Sequence, residues 1–364
     1  MTIRVLALAC YPERMACTRF RVSQFIEPLR NSGIEIELLP LFDDALAATF
    51  YDGKRPLHKA RRVFSCTKRL ISDVVRRSNA DIVFVQREAA LVGPPLVEAL
   101  ASRAFRVPVV LDIDDATWLS SGRWVRDILR MPWKTSWLAR AAQHIVVGSH
   151  SLAQWARKQC KNVTVIQTVV PASLWTPRTE HLEGKFVGEL PIIGWIGTHS
   201  TAPSLALVLP ALKKLRSEGF QFGFRVAGAG QSLNLHGFDT ELLAWSQERE
   251  IDMFRDIDIG IAPIFDGPWS EGKCAFKQIQ YMATGVPHVS SWVGGARDFL
   301  KHNENALVAR DEQAWYRSIR SLLEDSELRA RLAVEGRSLV QRELCAEVMG
   351  ERLRDVLVQT MNKS

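Results

Sequence analysis

The feature that most restricts what this chain can fold into is a repeated short apolar run without polar alternation, each followed by a stretch long enough for a helix. Ile3 to Ala9, Ile34 to Leu39, Ile82 to Gln86, Val107 to Ile113 and Ile145 to Val147 mark the first half, with a helix predicted from about Thr18 to Asn31. Strands open to water on one face alternate apolar and polar residues; runs that do not alternate suit a parallel sheet covered by helices on both faces. The rhythm restarts with Ile192 to Trp195, Gln221 to Ala227, Ile257 to Ala262, Val286 to Ser290 and Ala306 to Val308. Two doubly wound α/β domains are therefore expected.

A chain of 364 residues exceeds what one hydrophobic core usually organises, which fits the same division. Residues 1–170 are expected to form the first Rossmann-like domain and residues 191–345 the second. Residues 171–190 carry Pro171, Pro177 and Gly184, keep no period, and read as the linker. Residues 346–364 read as a closing amphipathic helix with Val348, Met349, Leu353, Val356, Leu357 and Met361 on its apolar side. Two such domains would face each other across a cleft at the carboxyl ends of their sheets.

The six cysteines contain no Cys-x-x-Cys pair, so neither a zinc site nor a disulfide framework is expected. The amino-terminal apolar run reads as a first strand, not a signal segment, and no run reaches the roughly 18 apolar residues of a membrane span. The expected setting is the cytoplasm, with peripheral attachment at the inner membrane face. A net charge of +7 favours an anionic partner. Basic residues crowd His58 to Arg77 and then Arg123, Arg126, Arg130, Lys134 and Arg140, the latter accompanied by Trp118, Trp124, Trp133 and Trp137. Tryptophans with cations suit an anionic membrane surface, whereas no nucleic-acid-binding motif accompanies the charge and no nucleic acid partner is expected.

Two segments of the second half carry anion chemistry. Gly194 and Gly197 bracket the end of an apolar strand, and Thr198, His199 and Ser200 precede a helix predicted over Pro203 to Arg216, with Thr198 or Ser200 as its N-cap. A glycine turn at a helix start lets backbone N–H groups approach a phosphate. Further on, Lys273 and Lys277 stand one helical turn apart on one stripe with Gln280 and Thr284. Such a lysine pair repels itself weakly and becomes favourable around a diphosphate. A solvated helix face is the alternative.

Gly194-Trp195-Ile196-Gly197-Thr198, the stretch Ile257 to Pro263, Gly272-Lys273 to Lys277, and Tyr281 to Pro287 together resemble the donor domain of family-four (group 1) glycosyltransferases. The resemblance implies a GT-B fold, an acceptor-binding first domain and a second domain that binds a nucleotide-sugar. It implies a retaining enzyme that moves a hexosyl group to a sugar or lipid-linked acceptor in polysaccharide or glycolipid biosynthesis, with the nucleotide-sugar as co-substrate and no metal. Donor-binding positions are then Gly197, Thr198, His199, Gly228, Glu271, Gly272 and Gln280, with Lys273 and Lys277 on the diphosphate.

The family's paired glutamates fall here on Gly272 and Gln280, with Glu271 one position early, and the usual arginine and lysine of the first phosphate loop are replaced by Thr198 and His199. These departures leave open a catalytically inactive protein that binds nucleotide-sugar or serves as a scaffold. Trp245 to Glu250 occupies the stretch that would reach the base. In the first half, Asp114 follows a strand where relatives place a sugar-contacting histidine; it orients the sugar or receives the acceptor proton, or else it caps the next helix. The Asp112-x-Asp114 spacing also permits a metal, which a lysine-bearing diphosphate site makes unnecessary. Arg19 and Arg21 are candidates for a phosphate on the acceptor, and His288 reads as a core histidine.

Overall fold

A computed structural model describes residues 2–50, 55–77, 79–105, 107–120, 122, 124–230, 233–235 and 238–362, with the side chains of 103–105 and 125–126 left out. The chain divides into two units, Met1–Thr168 with Met349–Ser364, and Val169–Val348.

In the first unit β1 (Ile3–Ala9), β2 (Ile34–Pro40), β3 (Ile82–Gln86), β4 (Val109–Ile113), β5 (His144–Val147) and β6 (Val163–Val165) form a sheet in the order β2-β1-β3-β4-β5-β6. In the second, β7 (Ile192–Ile196), β8 (Gly223–Ala227), β9 (Glu241–Leu243), β10 (Ile259–Ala262), β11 (His288–Ser291) and β12 (Leu307–Ala309) run β12-β11-β10-β7-β8-β9. Every pairing is parallel. The burial of β3, β4, β5, β10 and β11 is complete, which explains why their sequences do not alternate.

Each sheet reverses its winding once, between β1 and β3 in the first unit and between β7 and β10 in the second. Strand ends diverge at such a point and leave a crevice outside their carboxyl termini. That crevice is where the sheet can hold a ligand.

The expected strands are all present, and β6 and β9 are additional. Both are three-residue edge strands, too short for a period to register. The helix expected over Thr18 to Asn31 is divided: a π-helical turn, Arg19–Ser23, precedes the α-helix Gln24–Arg30. The helix expected from Pro203 is also divided, into a 3-10 segment Ala202–Leu207 and the α-helix Leu209–Ser217, because Pro210 can sit only in a first helical turn. Residues 171–190 are clasped to the second unit: Trp175 is buried and meets Phe254 edge-on at 5.5 Å, and Arg329 donates to the Gly184 carbonyl at 2.8 Å. The helix Ala346–Asn362 returns to the first unit, where Gly350 lies against Phe25.

Candidate functional site

The second unit's site forms where β7 ends. Gly194 lies inside the sheet, and a Cβ there would overlap the Ile257 side chain, so its glycine is a packing requirement. Gly197 is different. A Cβ at Gly197 would lie 2.5 Å from the Lys277 Nζ and overlap the Trp195 ring. The absent side chain is therefore what admits the Lys277 ammonium to the strand end. Gly228, at φ +79 after β8, faces the Gly197 carbonyl so closely that any Cβ would overlap it. Gly228 is thus required both by its left-handed backbone and by this approach.

Lys277 leaves the first turn of the helix Phe276–Ala283. Its ammonium lies 4.4 Å from the centroid of the fully buried Trp195 ring and 3.4 Å from Thr201 Oγ1. The residue is half-buried, and burial followed by the nearby Lys273 charge pushes its pKa down to about 7. Lys273 rests its ammonium on the Trp269 ring at 3.7 Å. Two cations are thus gathered at the end of the sheet, each over an aromatic face.

Thr198 and His199 are exposed in the following turn. Neither Thr198 nor Ser200 caps the helix: the N-cap is Thr201, without a side-chain cap bond, and the Thr198 and Ser200 hydroxyls meet each other at 2.9 Å. Thr201 Oγ1 instead donates to the Thr198 carbonyl, turning the loop back beneath Lys277. Ala275, at φ +53, opens the helix in a left-handed conformation.

Gln280 is buried one turn beyond Lys277, and its Nε2 donates to Glu250 Oε1 at 3.4 Å. A carboxylate is thus present beside the neutral amide, contributed by another helix, Glu250–Arg255. Trp245 packs beside Gly228 and is 39% exposed, which places it at the site rather than in the core. Gly272 follows the short helix Pro268–Glu271, and Glu271 Oε2 accepts from Arg297 Nη1 at 2.8 Å. His288 is buried in β11 and stacks on Tyr281, and burial lowers its pKa to about 4. It is a core residue.

In the first unit, Arg87 follows β3 at the winding reversal and adopts φ +58, an outlier for a non-glycine residue. Its guanidinium grips the Asp114 carboxylate with both Nε and Nη2, the second bond at 2.8 Å. Asp114 is therefore a carboxylate held by a forked cation and is not a helix cap. Arg21 corrects the expectation of an exposed phosphate ligand: it is 2% exposed, donates to both oxygens of Asp112, and reaches the Ile166 carbonyl at 2.6 Å. Its charge is consumed in joining the π-helical turn to β4 and to the segment after β6. Arg19 is half-buried with its guanidinium 4.5 Å from the Phe20 ring centroid. Each carboxylate of the Asp-x-Asp pair is matched by an arginine, Asp112 by Arg21 and Asp114 by Arg87. Among the described residues no group of three or more His, Cys, Asp or Glu side chains is placed to hold a metal.

Of the basic tryptophan-rich segment, Arg123 and the side chain of Arg126 lie outside the described residues. Trp124, Ile128, Leu129 and Trp133 are exposed. Trp118 instead stacks on Trp155 at 3.8 Å, and Lys134 is buried in an ion pair with Glu88 at 2.8 Å. These two do not belong to an exposed basic aromatic face. Among the described residues no helix is long and apolar enough to cross a membrane.

Two parallel six-stranded sheets wrapped by helices, the second with a glycine-lined lysine site at its winding reversal, define the GT-B glycosyltransferase fold. Residues 190–325 match the sequence model of the family described as Glycosyl transferases group 1, the family whose donor-domain motifs this stretch resembles. No curated protein matches the chain significantly by sequence. Among solved structures, HepE of Anabaena in complex with UDP-glucose is similar with a TM-score of 0.71 at 16% identity, over 98% of this chain and 100% of that one. A glycosyltransferase from Rickettsia africae reaches 0.71 at 14% identity, with both chains covered in full. The lipopolysaccharide outer core galactosyltransferase WaaB, in apo form, reaches 0.64 at 10% identity, over 98% of this chain and 99% of that one.

Proposed function

We propose that this chain moves a hexosyl group from a nucleotide-sugar to an acceptor hydroxyl with retention of configuration, in the assembly of a cell-surface polysaccharide or glycolipid. The observation that carries the reading is the Lys277 ammonium admitted to the end of β7 by the missing side chain of Gly197, with Lys273 beside it. In this reading Lys273 and Lys277 hold the diphosphate, and the backbone around Gly197, Thr198, His199 and Gly228 lines it. The Gln280–Glu250 pair accepts ribose hydroxyls, and Glu271 with Gly272 lies toward the sugar. The anomeric C–O bond breaks with its electron pair passing to the diphosphate. The acceptor oxygen bonds to carbon on the same face, and its proton is transferred to the departing phosphate oxygen. Charge development on the leaving group is what the two ammonium groups stabilise, and no metal is invoked.

The first unit takes the acceptor, a sugar or a lipid-linked sugar, with Arg19 and the Arg87–Asp114 pair at its sheet end as the recognition groups. In the pair, Asp114 orients a hydroxyl. The exposed Trp124, Ile128, Leu129 and Trp133 support contact with an anionic membrane surface, which suits a lipid-linked substrate. The protein itself is then peripheral, on the cytoplasmic face.

Loss of either lysine should cost about 2–4 kcal/mol of transition-state stabilisation, the range for one lost electrostatic donor. Turnover of UDP-glucose and other nucleotide-sugars by Lys273→Ala and Lys277→Ala tests this, and two variants as active as the parent would refute it. The neutral Gln280 favours a second reading, a nucleotide-sugar-binding scaffold without turnover. Release of nucleoside diphosphate in the presence and absence of acceptor separates the two.

A further inference from the structure

Between Glu271 and Ala283, the stretch that carries both lysines, Glu271 is the sole acidic residue, and it stands two positions before Lys273. A carboxylate so near an anion site harms it twice, by neutralising a lysine and by repelling the phosphates. The fold deals with this carboxylate from β11. After that strand, Gly294 turns at φ +57 in a space where a Cβ would lie 2.6–3.0 Å from the carbonyl oxygens of Ser270, Lys273 and Glu271. The Gly295 amide donates to the Lys273 carbonyl at 2.7 Å. Close approach at these glycines presses the 3-10 segment Gly294–Asp298 onto the lysine loop and brings Arg297 to Glu271. The guanidinium is steadied in turn, its Nε donating to the Trp292 carbonyl at 3.1 Å.

We propose that Arg297 is a positioning residue that confines the Glu271 carboxylate and so preserves the positive field of Lys273 and Lys277 for a nucleoside diphosphate. The inference rests on the diphosphate reading above and adds to it a residue that touches no phosphate. Glu271 closes the short helix Pro268–Glu271, two positions before Lys273, with its carboxylate turned to Arg297. Both side chains of the pair are about one-third exposed, at 38% and 35%. Solvent screening therefore sets the expected effect near the low end for a released charge, about tenfold in affinity.

The test measures, by calorimetry on the intact chain, the binding of UDP and of inorganic pyrophosphate, which shares the diphosphate without a base. Arg297→Gln should weaken both by about tenfold, and the double variant Arg297→Gln with Glu271→Gln should recover most of that loss, because the charge that Arg297 confines is then gone. Recovery in the double variant also shows that Arg297→Gln remains folded. Parental affinity in Arg297→Gln overturns the proposal. So does a double variant as weak as Arg297→Gln, because the loss then belongs to the charge of Arg297 itself. A parent that binds neither probe refutes the diphosphate reading instead.

Discussion

Lys277 should take up a proton when a diphosphate binds. Its ordinary value of 10.5 is pushed down to about 7 by burial first and by Lys273 second, so near neutral pH the unliganded residue is about half charged. At 1.36 kcal/mol per tenfold change, that displacement corresponds to roughly 4–5 kcal/mol against the ammonium, an upper figure because the side chain keeps partial contact with water. A dianionic phosphate beside it reverses both causes. Binding should therefore draw in about half a proton at pH 7 and more at pH 8, and affinity should fall as pH rises from 7. Calorimetry of UDP binding in buffers of different ionisation enthalpy reads the uptake directly. Lys277→Arg, whose guanidinium stays charged, supplies the baseline that removes any contribution from the nucleotide.

The same shift carries a stability sign. The unfolded chain keeps its lysine protonated where the folded one does not, so this group's contribution to stability rises with pH between about 7 and 10.5. Lys277→Met should then raise the unfolding free energy at pH 7 by about 1–3 kcal/mol while abolishing UDP binding, a gain in stability at the expense of the site. Equal proton uptake in the parent and in Lys277→Arg, or a Lys277→Met variant less stable than the parent at pH 7, would refute the reasoning.

Other expectations are independent of that one. Gly197→Ala should lose most UDP affinity, because its Cβ falls 2.5 Å from the Lys277 Nζ; binding unchanged from the parent would contradict the close approach. Arg21→Met should destabilise the first unit by about 3–5 kcal/mol in urea unfolding by leaving the buried Asp112 unpaired, and Arg21→Met with Asp112→Asn should recover part of this. Trp124→Ser with Trp133→Ser should reduce co-sedimentation with anionic liposomes several-fold, and retention equal to that of the parent would remove the membrane contact.

The parts of this fold that sequence made legible are those where one local pattern has one physical cause. Non-alternating strands such as Ile82–Gln86 mean burial on both faces, and Gly197 followed by Thr198 means an open strand end. What sequence could not convey is who meets whom across the fold. Arg21 looked like a first-turn cation, and only the position of Asp112 beside it, 91 residues later, shows that its charge is spent internally. Glu250 showed only as the end of a stretch expected to reach the base, and Arg87 and Arg297 carry no motif, since each matters through a partner distant in the chain. Gly294-Gly295 was the one available signal for the last of these: adjacent glycines after a buried strand mark close backbone approach.

The return of the helix Ala346–Asn362 to the first unit has a consequence for how the molecule is made. Met349, Leu353, Val356 and Leu357 bury their side chains, so the first unit lacks part of its apolar interior until residues 349–364 leave the ribosome. The segment that is translated in the middle, residues 169–348, has all its pieces in one continuous stretch and is placed to finish first, reversing the usual amino-to-carboxyl sequence of domain maturation. Cutting the gene at residue 348 should accordingly yield a folded second unit attached to a first unit that remains prone to aggregation.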